Sequence, residues 1–299
     1  MRGLHGDAGS AELHPGQPAS LSPGAGHLSD GQAGLAGALA DAGDPANVTS
    51  MTPLPDRAAL QARLHRDGFA FVTADTMRQL LPLQEMGDWA TFAASWNDLA
   101  PDTYLAALGR RRYRRHATFT IEGDGSLQRQ PHQPHWQSAR YNHLQGDIQR
   151  WFLPIRPALA GGASMRGILH FAHALFAPMT AGESRRWHVE THQFRIEARA
   201  GEPGEPTPEG VHHDGVDYVL VLLIDRRNIE SGTTTIHAGD GGLLGSFTLA
   251  HPLDAAMVVD ARVSHGVTAV TPIDPDLPAH RDVLVVTLKE IAGTGQAAP

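Results

Sequence analysis

Short segments rich in β-branched and aromatic residues follow one another through the second half of the chain, separated by glycine, proline, aspartate or asparagine. No long helical pattern lies between these segments. Together with an earlier segment of the same type, they number about eight, which predicts an antiparallel β-sandwich or jelly roll. The predicted strands are Tyr113–Ile121, Trp187–Ile196, Tyr218–Ile224, Thr233–His237, Gly245–Leu249, Ala256–Asp260, Gly266–Val270 and Val283–Leu288.

Helical patterns are predicted for the first half of the chain. Asp56 is a candidate N-cap, and the apolar positions that follow it indicate a helix of three turns ending at Asp67. Apolar residues recur at mostly helical spacing over Met77–Leu99, but Pro82 and Gly87 favour two pieces over one helix. A short strand is expected between these helices, at Phe69–Val72.

A long polar segment separates the helical part from most of the strands. Gln130–Gln149 is rich in proline, histidine, asparagine and glutamine and is expected to be irregular, with partial helix over Trp151–Ala160. Irregular segments on a rigid scaffold often form lids or substrate walls. The basic cluster Arg110–Arg112 is expected to be a solvated edge.

The N-terminal residues differ in composition from the rest. Residues 1–52 are dominated by glycine, alanine, proline, serine and aspartate, which indicates a disordered or loosely docked arm. The remainder, 53–292, is expected to form a single domain. Within it we expect helical support over about 53–110 and the jelly-roll core over about 113–290.

Composition limits the classes of partner. The chain has 32 acidic and 24 basic residues and a formal net charge of −8, so it lacks the basic field that attracts nucleic acid or anionic membranes. We expect a small-molecule substrate, no nucleic acid and no membrane partner, and a cytoplasmic location, since no signal peptide or membrane span is visible. A homodimer remains open. Because cysteine is absent, any metal must be held by histidine, aspartate or glutamate.

Two histidines and an aspartate form the candidate metal site. Side chains alternate between faces along a strand, so His212 and Asp214 are predicted to point the same way and His213 the other way. Several jelly-roll strands can then return His265 beside them. Two imidazoles and a carboxylate suit Fe(II) and leave positions for other ligands, although zinc accepts the same residues.

Arg281 adds a second constraint. It stands at the head of the last apolar segment, where a buried guanidinium can form a bidentate pair with a carboxylate reaching in from the metal. An iron ion chelated by a 2-oxo acid is consistent with this arrangement. A structural pair with Asp274, Asp276 or Asp282 is the alternative.

These residues give the chain a family resemblance. It resembles the 2-oxoglutarate/Fe(II)-dependent dioxygenase superfamily, and within it the bacterial group of free L-amino acid hydroxylases, over roughly Leu60–Lys289. The resemblance rests mainly on Glu209–Val219, Asn228–Thr233, Ser264–Thr268 and Arg281–Leu284. Weaker similarity lies in Tyr141-Asn142, Gly146, Arg150 and His192–Arg195.

The resemblance implies a fold, cofactors and an activity. The fold is a double-stranded β-helix, a cupin-like jelly roll, with flanking N-terminal helices. Fe(II), 2-oxoglutarate and O2 are implied, with His212, Asp214 and His265 as iron ligands and Arg281 as the 2-oxoglutarate anchor. The implied activity is hydroxylation of a free amino acid or similar small molecule, with release of succinate and CO2.

An amino-acid substrate needs partners for its carboxylate and ammonium groups. Arg195 is the first candidate for the carboxylate and Arg140 the second. His192 and Gln193 are expected to add hydrogen bonds and Glu190 to bind the ammonium, while Tyr141 and Asn142 lie on the segment expected to cover the substrate.

Two other classes of protein stay open on the residues alone. A cupin-like zinc or manganese hydrolase or isomerase would use the same triad and a metal-bound water, but would give Arg281 no role. A non-catalytic jelly-roll binding module would make the histidines structural.

Overall fold

The structure, a computed structural model, describes residues 56–107, 109–180 and 186–291. The predicted N-terminal arm lies outside the described residues, and the single domain over 53–292 stays a prediction. The α-helices are α1 (Arg57–Asp67), α2 (Ala74–Leu80), α3 (Trp89–Ala94), α4 (Thr103–Ala106), α5 (Pro157–Ala160) and α6 (Ala163–Phe176). The strands are β1 (Phe69–Val72), β2 (Ala100–Pro101), β3 (Arg112–Ile121), β4 (Leu127–Arg129), β5 (Arg186–Ala198), β6 (Tyr218–Arg227), β7 (Ile229–Ser231), β8 (Thr233–His237), β9 (Leu243–Thr248), β10 (Ala255–Val259), β11 (Ser264–Val267), β12 (Val270–Pro272) and β13 (Ala279–Ile291).

The strands form antiparallel sheets. Within the described ranges, an eight-stranded sheet has the order β1-β10-β6-β13-β5-β3-β2, with β4 paired to β3. A three-stranded sheet has the order β11-β8-β9, and β12 pairs with β7. Residues of the eight-stranded and three-stranded sheets line one common cavity, so these sheets face each other. The predicted jelly-roll core with flanking helices is confirmed.

The two faces of the large sheet have different contacts, because side chains alternate along each strand. On β13, Leu284, Val286 and Leu288 pack into the core shared with the helices. The intervening Val283 and Val285 line the cavity instead. The same alternation divides β5 and β6, so one face of the sheet anchors the helices and the other is available for a site.

The predicted helix and strand at the start of the described chain are confirmed. The Asp56 carboxylate accepts a hydrogen bond of 2.7 Å from the Ala59 N–H and caps α1, which ends at Gly68 in the left-handed conformation (φ 80°). The predicted break within Met77–Leu99 is also confirmed, since α2 ends at Leu80 and α3 begins at Trp89.

Helix α6 was not predicted, and the expectation that helices belong to the first half is wrong on this point. Its apolar residues lie at helical spacing and join the main core, among them Ile168, Leu169 and Leu175. Gly167 lies in the helix interior, where it lowers helix propensity, but a Cβ there would lie 2.4 Å from the Met86 side chain. A larger residue at this position would require the end of the Met86 side chain to move. No described helix is long and apolar enough to cross a membrane.

The basic cluster Arg110–Arg112 is paired rather than simply solvated. Arg110 forms an ion pair with Glu205, and Arg111 lies 2.8 Å from the Glu202 carboxylate. Arg112 contacts the buried Asp102 at 2.8 Å. These pairs fix the beginning of β3 at the edge of the cavity.

Candidate functional site

A cavity of about 430 Å³ lies between the inner face of the large sheet and the smaller sheet. Its floor is apolar, with Val219, Val221 and Val285 among the lining residues. Its polar lining includes His212, Asp214, His265 and Arg281 (the last lies on β13), together with much of the segment 133–150. The cavity thus brings all four predicted cofactor residues together.

The three predicted metal ligands lie within reach of one ion. The ligand atoms of His212, Asp214 and His265 all lie within 4.8 Å of one another. Nε2 of His212 is 3.6 Å from Oδ1 of Asp214, and Nε2 of His265 is 3.5 Å from Oδ2 of the same carboxylate. Two imidazole nitrogens and a carboxylate oxygen are a donor set that fits Fe(II).

Backbone pairing brings the two histidines together. His212 and His265 form an antiparallel bridge in which each N–H donates to the other's carbonyl at 2.9 Å. Nδ1 of His212 lies 2.9 Å from the Gly210 carbonyl, a contact that directs Nε2 toward Asp214. The strand predicted around His212 is reduced to this single bridge, but His212 and Asp214 share the cavity side.

A buried carboxylate holds the loop that carries Asp214. Oδ1 of Asp260 accepts a hydrogen bond from the Asp214 N–H at 2.8 Å. Oδ2 accepts from the N–H groups of Gly215 and Val216 at 2.7 and 3.2 Å. Asp260 therefore positions the metal-ligand loop through three backbone donors. The neighbouring His213 turns away from the triad, and its Nδ1 contacts the Asp260 carbonyl at 2.6 Å.

Tyr141 packs directly on this loop. A Cβ added to Gly215 would lie 2.5 Å from the Tyr141 ring, and Gly215 has a φ of 79°. Both the close approach and the left-handed backbone therefore require glycine. The tyrosine of the polar segment consequently lies next to the loop that carries Asp214 and lines the cavity; that it covers the substrate stays a prediction.

Burial and the neighbouring charges shift the pKa values of the three triad residues in opposite directions. Burial alone would lower the pKa of His212, but contact with the Asp214 charge raises this pKa to about 9. Burial lowers the pKa of His265 to about 4, although Asp214 opposes this effect. Burial opposes ionisation of Asp214, but the two imidazoles hold its pKa well below the usual range. The site therefore contains an ionised carboxylate.

Arg281 is a buried cation that also lines the cavity. Only 2% of the residue is exposed, and among the described residues its Nε has no hydrogen-bond partner. Burial and the like charge of Arg226 lower the pKa of Arg281 to about 10, so the guanidinium stays charged at neutral pH. The alternative pairing with Asp282 is not formed, because Asp282 lies on the helix side of β13 and binds Arg195.

Glu190 lies at the centre of a group of buried histidines beside the triad. Its Oε2 is 2.6 Å from Nδ1 of His135, 3.2 Å from Nε2 of His192 and 3.7 Å from Nε2 of His116. Burial opposes ionisation, but these contacts hold the pKa of Glu190 well below its ordinary value. Arg114 can only donate, so its 2.7 Å contact with Nδ1 of His192 places the ring proton on Nε2, toward Glu190. We therefore interpret the group as a hydrogen-bonded network rather than a second metal site.

Some of the predicted substrate residues line the cavity and others do not. His192 and Tyr141 line the cavity, as do Glu190 and Asn142. Arg195 does not, and its guanidinium donates to Asp282 at 2.8 and 2.6 Å. Its place as first carboxylate candidate is therefore corrected: Arg195 is three positions from His192 on β5, so the two residues point to opposite faces.

Two further predicted residues also lie outside the cavity lining. Arg140 is exposed, with its guanidinium 5.8 Å from the centroid of the Tyr141 ring. Gln193 is buried on the helix side, where its amide donates to the Ser95 hydroxyl at 2.8 Å. Arg195 and Gln193 thus serve packing between β5 and the segment that precedes β2.

Sequence reasoning missed several residues that shape the site. The positioning role of Asp260 and the cavity positions of Arg114 and Glu209 were not predicted. The parity of β3 could have indicated Arg114, since Arg112 and Arg114 share the cavity face. Asp260 gave no local signal, because its partners lie more than forty residues earlier in the chain.

A jelly-roll core with two imidazoles, a carboxylate and a buried arginine in one cavity is the architecture of a non-haem iron oxygenase. The family comparison agrees: the model of the 2OG-Fe dioxygenase family matches residues 93–287, so the chain belongs to this family. It is therefore an enzyme that uses Fe(II), 2-oxoglutarate and O2, and the predicted resemblance is confirmed. Membership assigns oxygenase chemistry in place of the zinc or manganese alternative and the non-catalytic module.

Individual relatives resemble the chain in sequence or in fold. The solved structure of a bsmA homolog from Methylobium petroleophilum PM1 is 37% identical, with a TM-score of 0.71, and covers 80% of this chain and 94% of that chain. IDO from Bacillus thuringiensis shares the fold at 18% identity, with a TM-score of 0.66 and coverage of 79% and 100%. The 3(1)-hydroxy-L-isoleucine 4-dioxygenase of Pantoea ananatis (strain AJ13355) is 24% identical over 76% of this chain and 94% of its own length.

Proposed function

We propose that this dioxygenase hydroxylates a free amino acid or similar small molecule, with release of succinate and CO2. The observation that carries the proposal is that the triad and the buried Arg281 face one cavity of about 430 Å³. A cavity of this size suits two small molecules rather than a protein or nucleic-acid segment. The name of the relative from Pantoea ananatis supports an amino-acid substrate.

In this proposal His212, Asp214 and His265 hold Fe(II). When bound, the iron supplies the redox chemistry that couples O2 and 2-oxoglutarate to hydroxylation of a C–H bond. The protein contributes the arrangement of the ligands, which the His212–His265 bridge and the Asp260 carboxylate hold in place.

Arg281 binds the 5-carboxylate of 2-oxoglutarate. Its guanidinium is buried without a described carboxylate partner, so a ligand carboxylate would complete a charge pair. The valines of the cavity floor, such as Val283 and Val285, give the aliphatic part of 2-oxoglutarate an apolar surface and exclude water.

The polar segment 133–150 forms the wall over the triad and orients the substrate. Tyr141 packs on Gly215, and the Gln137 amide donates to the Asp214 carbonyl at 3.1 Å. These contacts tie the wall to the metal-ligand loop. A substrate held by this wall would present its C–H bond next to the triad, where positioning governs the rate.

Substrate-stimulated succinate release tests the proposal. Purified protein would receive Fe(II), 2-oxoglutarate and O2, with each free L-amino acid in turn, and both succinate and the hydroxylated product would be quantified. We expect at least one amino acid to raise succinate formation with an equal amount of hydroxylated product. Turnover of 2-oxoglutarate that no amino acid stimulates would contradict the amino-acid substrate, and activity with zinc alone would contradict the iron assignment.

A further inference from the structure

A second buried arginine lines the same cavity and lacks a charged partner. Arg150 is 2% exposed, and its Nε has no hydrogen-bond partner among the described residues. In the part of the chain that the structure describes, its terminal nitrogens donate to neutral amide oxygens alone, at 2.8 Å to Gln145 and at 3.4 Å to Gln137. Within the described ranges, no carboxylate lies within ion-pair distance of this guanidinium.

Two arginines on the cavity side of β3, unlike Arg150, have a carboxylate partner. Arg112 donates to the Asp102 carboxylate at 3.1 and 2.8 Å. Arg114 lies 3.6 Å from the same carboxylate, and its guanidinium is 3.5 Å from the centroid of the Phe152 ring. Burying a cation without a counter-charge is costly, so the two unpaired guanidiniums of the cavity, Arg150 and Arg281, indicate two bound anions.

The surroundings of Arg150 connect it to the metal-ligand loop. The Gln137 amide that accepts from Arg150 also donates to the Asp214 carbonyl, at 3.1 Å. Asn142 reinforces this arrangement by donating to the Gln137 oxygen at 3.1 Å. An anion on Arg150 would therefore be held close to the triad by an ordered set of amides.

Glu209 offers the complementary charge. It lines the cavity, and its Oε1 lies 3.5 Å from Nε2 of His212. Its carboxylate accepts no side-chain hydrogen bond in the described part of the chain. Glu190, in contrast, already lies within 3.4 Å of three imidazoles, those of His135, His188 and His192. Glu209 and Arg150 both line this one cavity, so one small substrate can contact both groups.

We propose that Arg150 and Glu209 bind the two charged groups of an α-amino acid, with Arg150 pairing with its carboxylate and Glu209 with its ammonium. The inference rests on the proposed function, because it identifies how the same cavity recognises its substrate. Arg150 would then bind the carboxylate of the substrate, as Arg281 binds the 5-carboxylate of 2-oxoglutarate. Neither residue was a leading candidate for these roles from the sequence.

The test measures binding of three matched compounds without turnover. Protein loaded with Fe(II) and 2-oxoglutarate is titrated under nitrogen in a calorimeter with the common L-amino acids. The amino acid that binds best is then compared with the carboxylic acid that lacks its ammonium group and with the amine that lacks its carboxylate. We expect the wild-type protein to bind the complete amino acid at least about 30-fold more tightly than either analogue, since a buried charge pair is typically worth about 2 kcal/mol or more.

Substitutions assign each charged group to its residue. Arg150→Gln is expected to weaken binding of the amino acid by about 30-fold or more and to leave binding of the amine unchanged. Glu209→Gln should weaken binding of the amino acid by about tenfold or more and leave binding of the carboxylic acid unchanged. Arg166→Gln, on the exposed face of α6, is the control that should change neither. The dissociation constant of 2-oxoglutarate, measured in every variant, verifies that the cavity is intact.

The outcomes distinguish failure of both proposals from failure of this inference alone. If no amino acid, acid or amine binds to the wild-type protein, the amino-acid function and this inference both fail. If the amino acid binds and Arg150→Gln binds it equally well, only the inference fails, and a loss in Arg140→Gln would transfer the role to Arg140. If Arg150→Gln does not fold, Arg150→Lys retains the charge but loses the fork geometry, so unchanged binding of the amino acid in that variant would also contradict the assignment.

Discussion

The Arg195 guanidinium donates two hydrogen bonds to the buried Asp282 carboxylate, at 2.8 and 2.6 Å, on the face of the large sheet opposite the cavity. This pair joins β5 to β13 and lies against the segment that carries Asn97. The pair therefore stabilises the sheet from outside the cavity lining.

We accordingly predict that Arg195→Ala lowers stability and leaves substrate affinity unchanged. Removing the arginine leaves Asp282 buried, with the His280 contact at 3.6 Å as its one remaining ion pair among the described residues, and the expected loss is roughly 2 to 3 kcal/mol. Urea unfolding followed by fluorescence measures this loss. Arg199→Ala removes an exposed pair with Glu197 at 3.7 Å and should cost less than about 1 kcal/mol. If Arg195→Ala had normal stability and a raised KM for the amino acid, Arg195 would have to be assigned a role in substrate binding.

The exclusion of Arg195 could have been derived from the sequence. His192 and Arg195 were both assigned to the substrate, yet an odd separation on one strand sends side chains to opposite faces. The same rule paired His212 with Asp214, and both residues line the cavity, although this segment forms a single bridge at His212 and no strand. Contacts between residues that are distant in sequence could not be derived in this way. Nothing near Asp260 or Arg150 in the sequence indicates which distant backbone groups or charges will surround it after folding.

Most of the architecture, in contrast, follows from local patterns. Strand periodicity and turn residues predicted most strands of the eight-stranded and three-stranded sheets, but not the short β2, β4 and β7. Asp56 and Gly68 marked the ends of α1. Helix α6 was missed because Gly167 and its histidines weaken the helical pattern, and its apolar face is explained only by packing against the large sheet. Packing against the rest of the protein therefore stabilises the helical conformation of this segment.

A second prediction concerns the carboxylate that holds the metal-ligand loop. Asp260→Asn replaces two acceptor oxygens with one, so at least one of the N–H groups of Asp214, Gly215 and Val216 loses its partner. We expect Fe(II) affinity to fall by about 10- to 100-fold, as is typical when groups that orient metal ligands are changed. Competition with a chelator of known affinity measures the effect. Asp240→Asn, on an exposed turn, is the matched control; equal Fe(II) affinity in the two variants would remove Asp260 from this role.

The contact between Gly215 and Tyr141 gives a third prediction. Gly215→Ala adds a Cβ that would lie 2.5 Å from the Tyr141 ring, at a backbone φ of 79° that alanine rarely adopts. We expect a stability loss of at least about 1 kcal/mol from the backbone alone, together with displacement of Tyr141. The double variant Gly215→Ala/Tyr141→Ala separates the two effects, because it removes the clash and retains the strain. A Gly215→Ala protein with wild-type stability and activity would show that neither matters.

Arg281 provides a fourth prediction. Arg281→Ala should raise the KM for 2-oxoglutarate by about 30-fold or more, because it removes a buried charged partner of the cosubstrate. Arg281→Lys should recover part of this loss, since it restores the charge but not the paired donors. Arg227→Gln, an exposed arginine on neighbouring β6, is the control. An unchanged KM in Arg281→Ala would require another residue to bind the 5-carboxylate.

The adjacent histidines His212 and His213 allow the sharpest test of the metal assignment. His212 faces Asp214, with Nε2 3.6 Å from its carboxylate, whereas His213 points its Nδ1 at the Asp260 carbonyl. We expect His212→Ala to abolish measurable Fe(II) binding and succinate formation, and His213→Ala to retain both with at most a modest loss of stability, since one hydrogen bond contributes about 1 kcal/mol. Equilibrium dialysis with Fe(II) under nitrogen gives the metal stoichiometry independently of activity. If His213→Ala lost the metal and His212→Ala kept it, the ligand would be His213, and the loop would have to rotate so that the side chain now facing Asp260 enters the cavity.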